Sequence, residues 1–199
     1  MKLGIFGGTF DPIHNGHLAA AQAALDCAEL DHVIFVPAAQ SPHRTAARAS
    51  GEQRLEMCRL AIEGEPRFET SDLEIRRGGI SYTLDSLREL HRARPADELF
   101  LILGWDAARL FATWHEPEQV QELALMVVVN RPGVRAPDDA LLRAAGLDPA
   151  RVITCLRSTP DVSASALRAA LASKEWITGQ VPDAVARYIA DQDLYRDNR

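Results

Sequence analysis

Lysine is nearly absent from this chain: Lys2 and Lys174 are the only two in 199 residues. Positive charge is therefore almost all arginine, and the excess of acids leaves a net charge of −6. A chain of that sign has no general attraction for nucleic acid or for an anionic membrane surface, so neither is an expected partner. Cysteine is scarce as well. Cys27, Cys58 and Cys155 are odd in number, widely spaced and set in apolar-patterned segments. That excludes a disulfide framework and a cysteine-based metal site, and it fits reduced, mostly buried thiols. No apolar run approaches the roughly 20 residues of a membrane helix. The first strand-like run begins at Lys2, which leaves no room for a signal peptide, so a cytoplasmic location is expected. Two common phosphate motifs are missing too, the G-x-G-x-x-G turn and the Gly-Lys-Ser/Thr of a Walker loop. An NAD-dependent oxidoreductase would also need an acidic residue closing the second strand, and Val33-Ile34-Phe35-Val36-Pro37 offers none.

What is present is an ordinary globular composition, 47% apolar and 25% charged, in a length that suits one domain. Strand-length apolar runs fall at residues 2–6, 32–36, 67–70, 99–103, 125–129 and 152–155. Helical patterns lie between them, near 16–30, 51–63, 83–92, 107–111, 117–123, 138–145, 164–172 and 182–191. Continuous runs such as Leu125-Met126-Val127-Val128-Val129 suit a parallel sheet covered on both faces. The expected fold is therefore α/β: a single doubly wound, Rossmann-like domain over 1–199, with a mainly parallel sheet and helices on both faces. Its C-terminal helical part, about 163–199, should pack on the same domain. In such folds ligands sit at the carboxyl ends of the strands. The polar stretch 40–51 follows a strand on that side and is the best candidate for a mobile loop.

The most informative segment is Gly7-Gly8-Thr9-Phe10-Asp11-Pro12-Ile13-His14-Asn15-Gly16-His17. It reads as strand, glycine turn and helix start, and a helix start is an anion site through its unpaired N–H groups and dipole. Gly7, Gly8 and Gly16 let a phosphate approach the backbone closely. His14 and His17 are three apart, so they share one face if the helix has begun by His14. A second helix start, Val162-Ser163-Ala164-Ser165-Ala166-Leu167-Arg168, follows a second strand-like run. Two such termini facing one cleft could grip a triphosphate from both sides. Each residue also has a plainer reading. The histidines could cap or pack, Asn15, Ser163 and Asp106 could be helix caps, Asp11 a turn former, Arg168 an exposed helix residue and Trp114 a core filler.

Further motifs line up in order along the chain: Val36-Pro37-Ala38-Ala39-Gln40-Ser41-Pro42-His43-Arg44, then Asp72-Leu73-Glu74 with Gly79-Ile80-Ser81-Tyr82-Thr83-Leu84-Asp85-Ser86-Leu87. Leu103-Gly104-Trp105-Asp106 with Trp114, Asn130-Arg131-Pro132-Gly133, and Val181-Pro182 through Leu194-Tyr195 follow. With the two helix starts, these resemble the motifs of the HxGH nucleotidyltransferase superfamily, and within it the bacterial nicotinate mononucleotide adenylyltransferases. The resemblance spans nearly the whole chain. It implies adenylyl transfer from ATP to nicotinate mononucleotide, giving nicotinate adenine dinucleotide and pyrophosphate, a step of NAD biosynthesis.

That resemblance also implies roles. His14, His17 and Arg168 would be catalytic, on the triphosphate. Gly7, Gly8, Thr9, Phe10, Gly16, Gly104, Asp106, Ser163 and Ser165 would bind ATP. Asp11, His43, Arg44, Tyr82, Thr83, Trp114 and Arg131 would bind the mononucleotide, with Trp114 stacking on the pyridine ring and Thr83 beside its carboxylate. Magnesium would arrive on the ATP phosphates, and no protein ligand to it is expected. Ala164 stands where the family usually has a second hydroxyl, and Trp105 where it commonly has a small residue. The competing expectations are phosphopantetheine adenylyltransferase or another HxGH nucleotidyltransferase, and a non-catalytic nucleotide-binding domain on the same fold. The choice between acid and amide mononucleotide and the assembly of identical copies are left open by the sequence.

Overall fold

The computed structural model describes residues 1–42, 46–130, 136–156, 160–175 and 177–196. Among them six strands form one sheet: β1 (Lys2–Gly8), β2 (His32–Pro37), β3 (Phe68–Thr70), β4 (Glu98–Gly104), β5 (Leu125–Val129) and β6 (Val152–Cys155). All pair in parallel, in the order β3-β2-β1-β4-β5-β6. The helices are α1 (Asn15–Cys27), α2 (Gly51–Ala61), α3 (Leu73–Arg77), α4 (Thr83–Ala93) and α5 (Trp105–Ala108). They continue with α6 (Pro117–Leu123), α7 (Asp139–Ala144), α8 (Ala164–Ala172) and α9 (Asp183–Asp191). The doubly wound α/β architecture expected from the strand–helix alternation is the one observed.

Successive residues of a strand point to opposite faces, and the apolar runs feed two cores accordingly. Phe6, Val33, Phe35, Phe100, Ile102, Val127 and Val129 pack on one face, against α1, α2, α8 and α9. Leu3, Ile5, Ile34, Val36, Leu99, Leu101, Leu103, Met126 and Val128 pack on the other, against α3, α4, α6 and α7. Leu167, Val185, Ile189 and Tyr195 belong to the first of these cores, so the C-terminal helices cover the same sheet. Gly4 in the central strand has no room for a side chain. A Cβ there would lie 2.8 Å from Leu30 Cδ1 and 2.9 Å from Ile102 Cδ1.

Three details differ from the sequence expectation. The helix expected at 107–111 is instead α5, begun at Trp105, followed by a 3-10 turn at Phe111–Thr113. Gly104, still extended (φ −72°, ψ 150°), is the residue before that helix, so Asp106 sits in its first turn and is not its cap. The five-residue helix α3 was not expected. It is shorter than any window in which helical periodicity shows, and it stops at Gly78, whose φ is +69°. β1 runs to Gly8, because Gly7 and Gly8 pair with Val36 and Pro37 beyond the apolar run. Of the cysteines, Cys58 and Cys155 are buried and Cys27 is exposed.

Candidate active site

The strand order reverses between β1 and β4, and the carboxyl ends of these two neighbours open the crevice where this class of sheet binds ligands. Gly7 and Gly8 end one strand and Gly104 the other. The segment after Gly8 turns back through Phe10, which holds a left-handed φ of +48°. It delivers His14 as the residue preceding α1.

The two histidines stack, with ring centroids 3.7 Å apart and planes inclined by 22°. The backbone N–H of His14 donates to His17 Nδ1 at 3.3 Å. A ring nitrogen that accepts carries no proton, so in this geometry the His17 proton lies on Nε2. Phe10 and Phe6 pack edge-on against the His17 ring, at 5.0 and 6.1 Å. The Phe10 side chain is buried, so it supports His17 from beneath.

The second helix start lies against the first. A Cβ on Gly16 would sit 3.3 Å from the carbonyl oxygen of Pro160, in the segment that leads to α8. Ser163 is the N-cap of α8. Its Oγ accepts from the Ala166 N–H at 3.2 Å and lies 3.3 Å from Ser165 Oγ. From the second turn of α8, Arg168 sends Nη1 to the Asp11 carbonyl oxygen at 2.7 Å. The same nitrogen is 3.9 Å from Asp11 Oδ2, with the arginine side chain 28% exposed. Both helix N-termini and the Arg168 guanidinium thus meet at the β1 turn, as the sequence pattern suggested. Ala164 removes one hydroxyl from this end, while the Ser163–Ser165 pair remains.

Asp11 has a larger internal role than a turn former. Its carboxylate is buried at 4% exposure and is met by three hydrogen-bond donors and a nearby cation. The Arg48 and Ala49 N–H groups donate at 2.9 and 3.1 Å, and the Tyr195 hydroxyl at 2.8 Å. Arg168 adds its charge. Arg54, which no sequence motif singles out, is buried at 2% exposure. Its Nε, Nη1 and Nη2 donate to the carbonyls of Ala49, Thr9 and Ala39, at 3.2, 2.7 and 3.5 Å. Burial pulls its guanidinium below the ordinary arginine value, with Asp11 and Glu74 among the groups opposing that pull. It remains a cation at any working pH.

On the other side of the cleft, Thr83 is the first residue of α4 and Tyr82 precedes it. This start is held to the chain after β2: the Ser81 N–H donates to the Gln40 carbonyl at 2.8 Å and the Ala39 N–H to Ser81 Oγ at 2.9 Å. The Tyr82 ring faces His115 at 4.5 Å, and Trp114 leans on Phe111 at 5.3 Å. His115, which the sequence offered no reason to choose, therefore faces Tyr82 from the position next to Trp114. Asp106 is exposed at the mouth. Behind Ser81, the buried Glu74 accepts from the Ser86 hydroxyl. Burial pushes its carboxyl above the ordinary value of 4.5, against hydrogen bonds from Ser86 and Ser81 and the charges of Arg77 and Arg54. His43, Arg44 and Arg131 lie outside the described residues.

The parallel sheet, the switch-point crevice and two helix starts at one turn define a nucleotide-handling α/β protein. Residues 5–170 match the model of the cytidylyltransferase-like family. A protein of Citrifermentans bemidjiense, named a probable nicotinate-nucleotide adenylyltransferase, is 42% identical, with both chains covered in full. One of the same name from Thermus thermophilus is 42% identical over 98% of this chain and 100% of its own. The chain belongs to the cytidylyltransferase-like family and, within it, to the nicotinate-nucleotide adenylyltransferases. The fold is also that of the Plasmodium falciparum nicotinic acid mononucleotide adenylyltransferase solved with NaAD. That structure gives a TM-score of 0.79 at 19% identity, over 98% of this chain and 97% of its own.

Arg54→Met strands three carbonyls and leaves Asp11 and Glu74 without their buried counter-charge. Removing one partner of a buried ionic network costs about 3–5 kcal/mol, so thermal unfolding should shift down by roughly 10 °C. Glu74 gives a test in pH. A carboxyl with a raised folded value contributes stability fully below its unfolded value, and loses it as pH rises through the folded one. The melting-temperature advantage of the parent over Glu74→Gln should thus be greatest below about pH 4.5 and shrink towards neutrality. Melting curves of the two proteins from pH 4 to pH 8 check it.

Proposed function

We infer that the chain is a nicotinate-nucleotide adenylyltransferase, joining the adenylyl group of ATP to nicotinate mononucleotide with release of pyrophosphate. Full-length identity of 42% to proteins of that name supports the reaction. The observation that carries the mechanism is the meeting of α1, α8 and Arg168 at one turn. The triphosphate lies between the two helix starts, where N–H groups and dipole ends face its oxygens. The mononucleotide stands on the aromatic side. Trp114 and Tyr82 flank its pyridine ring, and the start of α4 at Thr83 presents N–H groups to the ring carboxylate.

The attacking group is the 5′-phosphate oxygen of the mononucleotide. It forms a bond to the α-phosphorus of ATP as the bond from that phosphorus to the bridging oxygen breaks, and the electron pair leaves with pyrophosphate. A phosphate monoester has a second pKa of about 6, so the nucleophile is already a dianion at neutral pH and needs no general base. What the protein supplies is alignment and charge stabilisation. His17 Nε2–H, the Arg168 guanidinium and the Ser163–Ser165 hydroxyls meet the negative charge that grows on the leaving pyrophosphate. His14 holds His17 in the donating tautomer through its own backbone N–H. Asp11 acts from behind, by fixing Arg168 and the backbone of residues 48–49.

Among the described residues no group of three His, Cys, Asp or Glu side chains stands ready to hold a metal. Magnesium enters as part of the MgATP substrate, held by phosphate and water. Also among the described residues, no helix is long and apolar enough to cross a membrane. A cytoplasmic setting suits a chain whose Cys27, Cys58 and Cys155 form no disulfide.

The reaction is tested by pyrophosphate release with MgATP and, in turn, nicotinate mononucleotide, nicotinamide mononucleotide and phosphopantetheine. The acid mononucleotide should give the highest kcat/KM. A faster reaction with phosphopantetheine, or ATP binding with no release for any acceptor, would replace the assignment. His17→Ala should lower turnover by roughly 10²–10³, as loss of one transition-state donor does. Unchanged kcat in a folded His17→Ala protein would remove His17 from the mechanism.

A further inference from the structure

Tyr195 lies beyond the last helix, four residues past the end of α9, yet its hydroxyl reaches the β1 turn. It is 6% exposed, within the core that backs the site. Its Oη donates to Asp11 Oδ1 at 2.8 Å, a contact between residues 184 positions apart. One end of this contact, and the residue before the other, stand in unusual backbone. Tyr195 has a φ of +66° and Phe10, beside Asp11, a φ of +48°, a region that residues with large side chains rarely enter. Such outliers persist only where the surroundings over-determine them. The C-terminal segment also holds the same turn elsewhere: the Asn15 backbone N–H donates to the Gln180 carbonyl at 2.9 Å, and Asn15 Nδ2 to that of Gly179 at 2.8 Å.

We propose that Tyr195 is a positioning residue for adenylyl transfer, fixing through Asp11 the guanidinium of Arg168 that faces the triphosphate. Asp11 is the shared partner. Its Oδ1 takes the phenol, while its carbonyl and Oδ2 face Arg168 Nη1. Nη1 is thereby spent on the protein, and among the described residues Nε and Nη2 make no hydrogen bond within it. Those are the nitrogens left to meet phosphate oxygens. Burial, and then the adjacent Asp11 carboxylate, push the Tyr195 phenol above its ordinary range, so the hydroxyl stays a donor throughout the working pH. Without it, Asp11 Oδ1 keeps only the Ala49 N–H, and the carboxylate is free to turn towards Arg168 and draw the guanidinium off its line.

The proposal rests on Arg168 acting on the triphosphate, and a double-mutant cycle separates the two ideas. Tyr195→Phe keeps the ring in the core and removes one oxygen. It should lower kcat/KM for MgATP about tenfold, the scale of one hydrogen bond, with KM for nicotinate mononucleotide within about twofold of the parent. In an Arg168→Ala background the same change should cost less than about twofold. Equal losses in both backgrounds, no loss in either, or a loss confined to the mononucleotide KM would overturn the role of Tyr195 while Arg168 keeps its own. Unaltered MgATP kinetics in Arg168→Ala alone would overturn the triphosphate assignment, and the proposal with it. Melting curves establish that each variant is folded. Should Tyr195→Phe melt early, the same cycle is measured at a temperature where every variant is folded, with the same outcomes.

Discussion

A carboxylate taken out of water must be met by donors, and Asp11 is that carboxylate here. Its partners come from three separate stretches: the backbone just before α2, the side of α8 and the segment after α9. None of these contacts belongs to regular secondary structure. The turn after β1 is therefore shaped by charge satisfaction, and the elements that satisfy it become the walls of the cleft. Arg54 is the counterpart of opposite sign. It binds carbonyls of the turn after β1, the chain after β2 and the residues that enter α2. Between them the two charges fix the loops that the sheet leaves undetermined.

The topology then decides what those loops can do. With β1 at the centre and β4 beside it, the first turn of the chain faces the end of a strand almost a hundred residues later. α8 comes from the far side of the sheet order, after β6, and still reaches the start of α1 at the Gly16–Pro160 contact. Two helix dipoles directed at one cleft would be an unfavourable arrangement if the cleft were apolar. Filled by a triphosphate, as proposed above, it would become a source of charge stabilisation in place before the substrate enters. The proposed acceptor side is built differently, from aromatic faces and one helix start, which would suit a flat heterocycle bearing a single carboxylate.

How much of this was legible in the sequence follows from the range of each interaction. Strands were legible because two-sided burial writes a continuous apolar run, and both helix starts because glycine, histidine, serine and arginine fall within a few residues of one another. Arg54 was not, since its importance lies in carbonyls up to 45 residues away, and carbonyls carry no side-chain signature. Tyr195 was legible only as part of a family ending, because its partner is 184 residues distant. Glu74 lay inside a quoted motif, but its burial depends on how α3 and α4 pack, and α3 is too short to announce itself. His115 faces Tyr82 only after the chain has turned through the 3-10 segment at Phe111–Thr113.

The scarcity of lysine has a local meaning at these sites. Arg54 reaches three carbonyls with three different nitrogens. An ammonium would have to bring them all to one point, which a planar fork does not require. Arg168 faces a similar division: one nitrogen is committed to Asp11 while, among the described residues, the others make no hydrogen bond within the protein. A lysine could serve one of those roles at a time, because its donors share a single atom. In the proposed arrangement, dividing one cation between a structural anchor and a substrate contact is what would couple the C-terminal segment to the triphosphate. The same division explains why a buried ionic network, a poor source of stability in general, is useful at this turn. It fixes direction as well as charge, and transfer between two phosphates depends on direction.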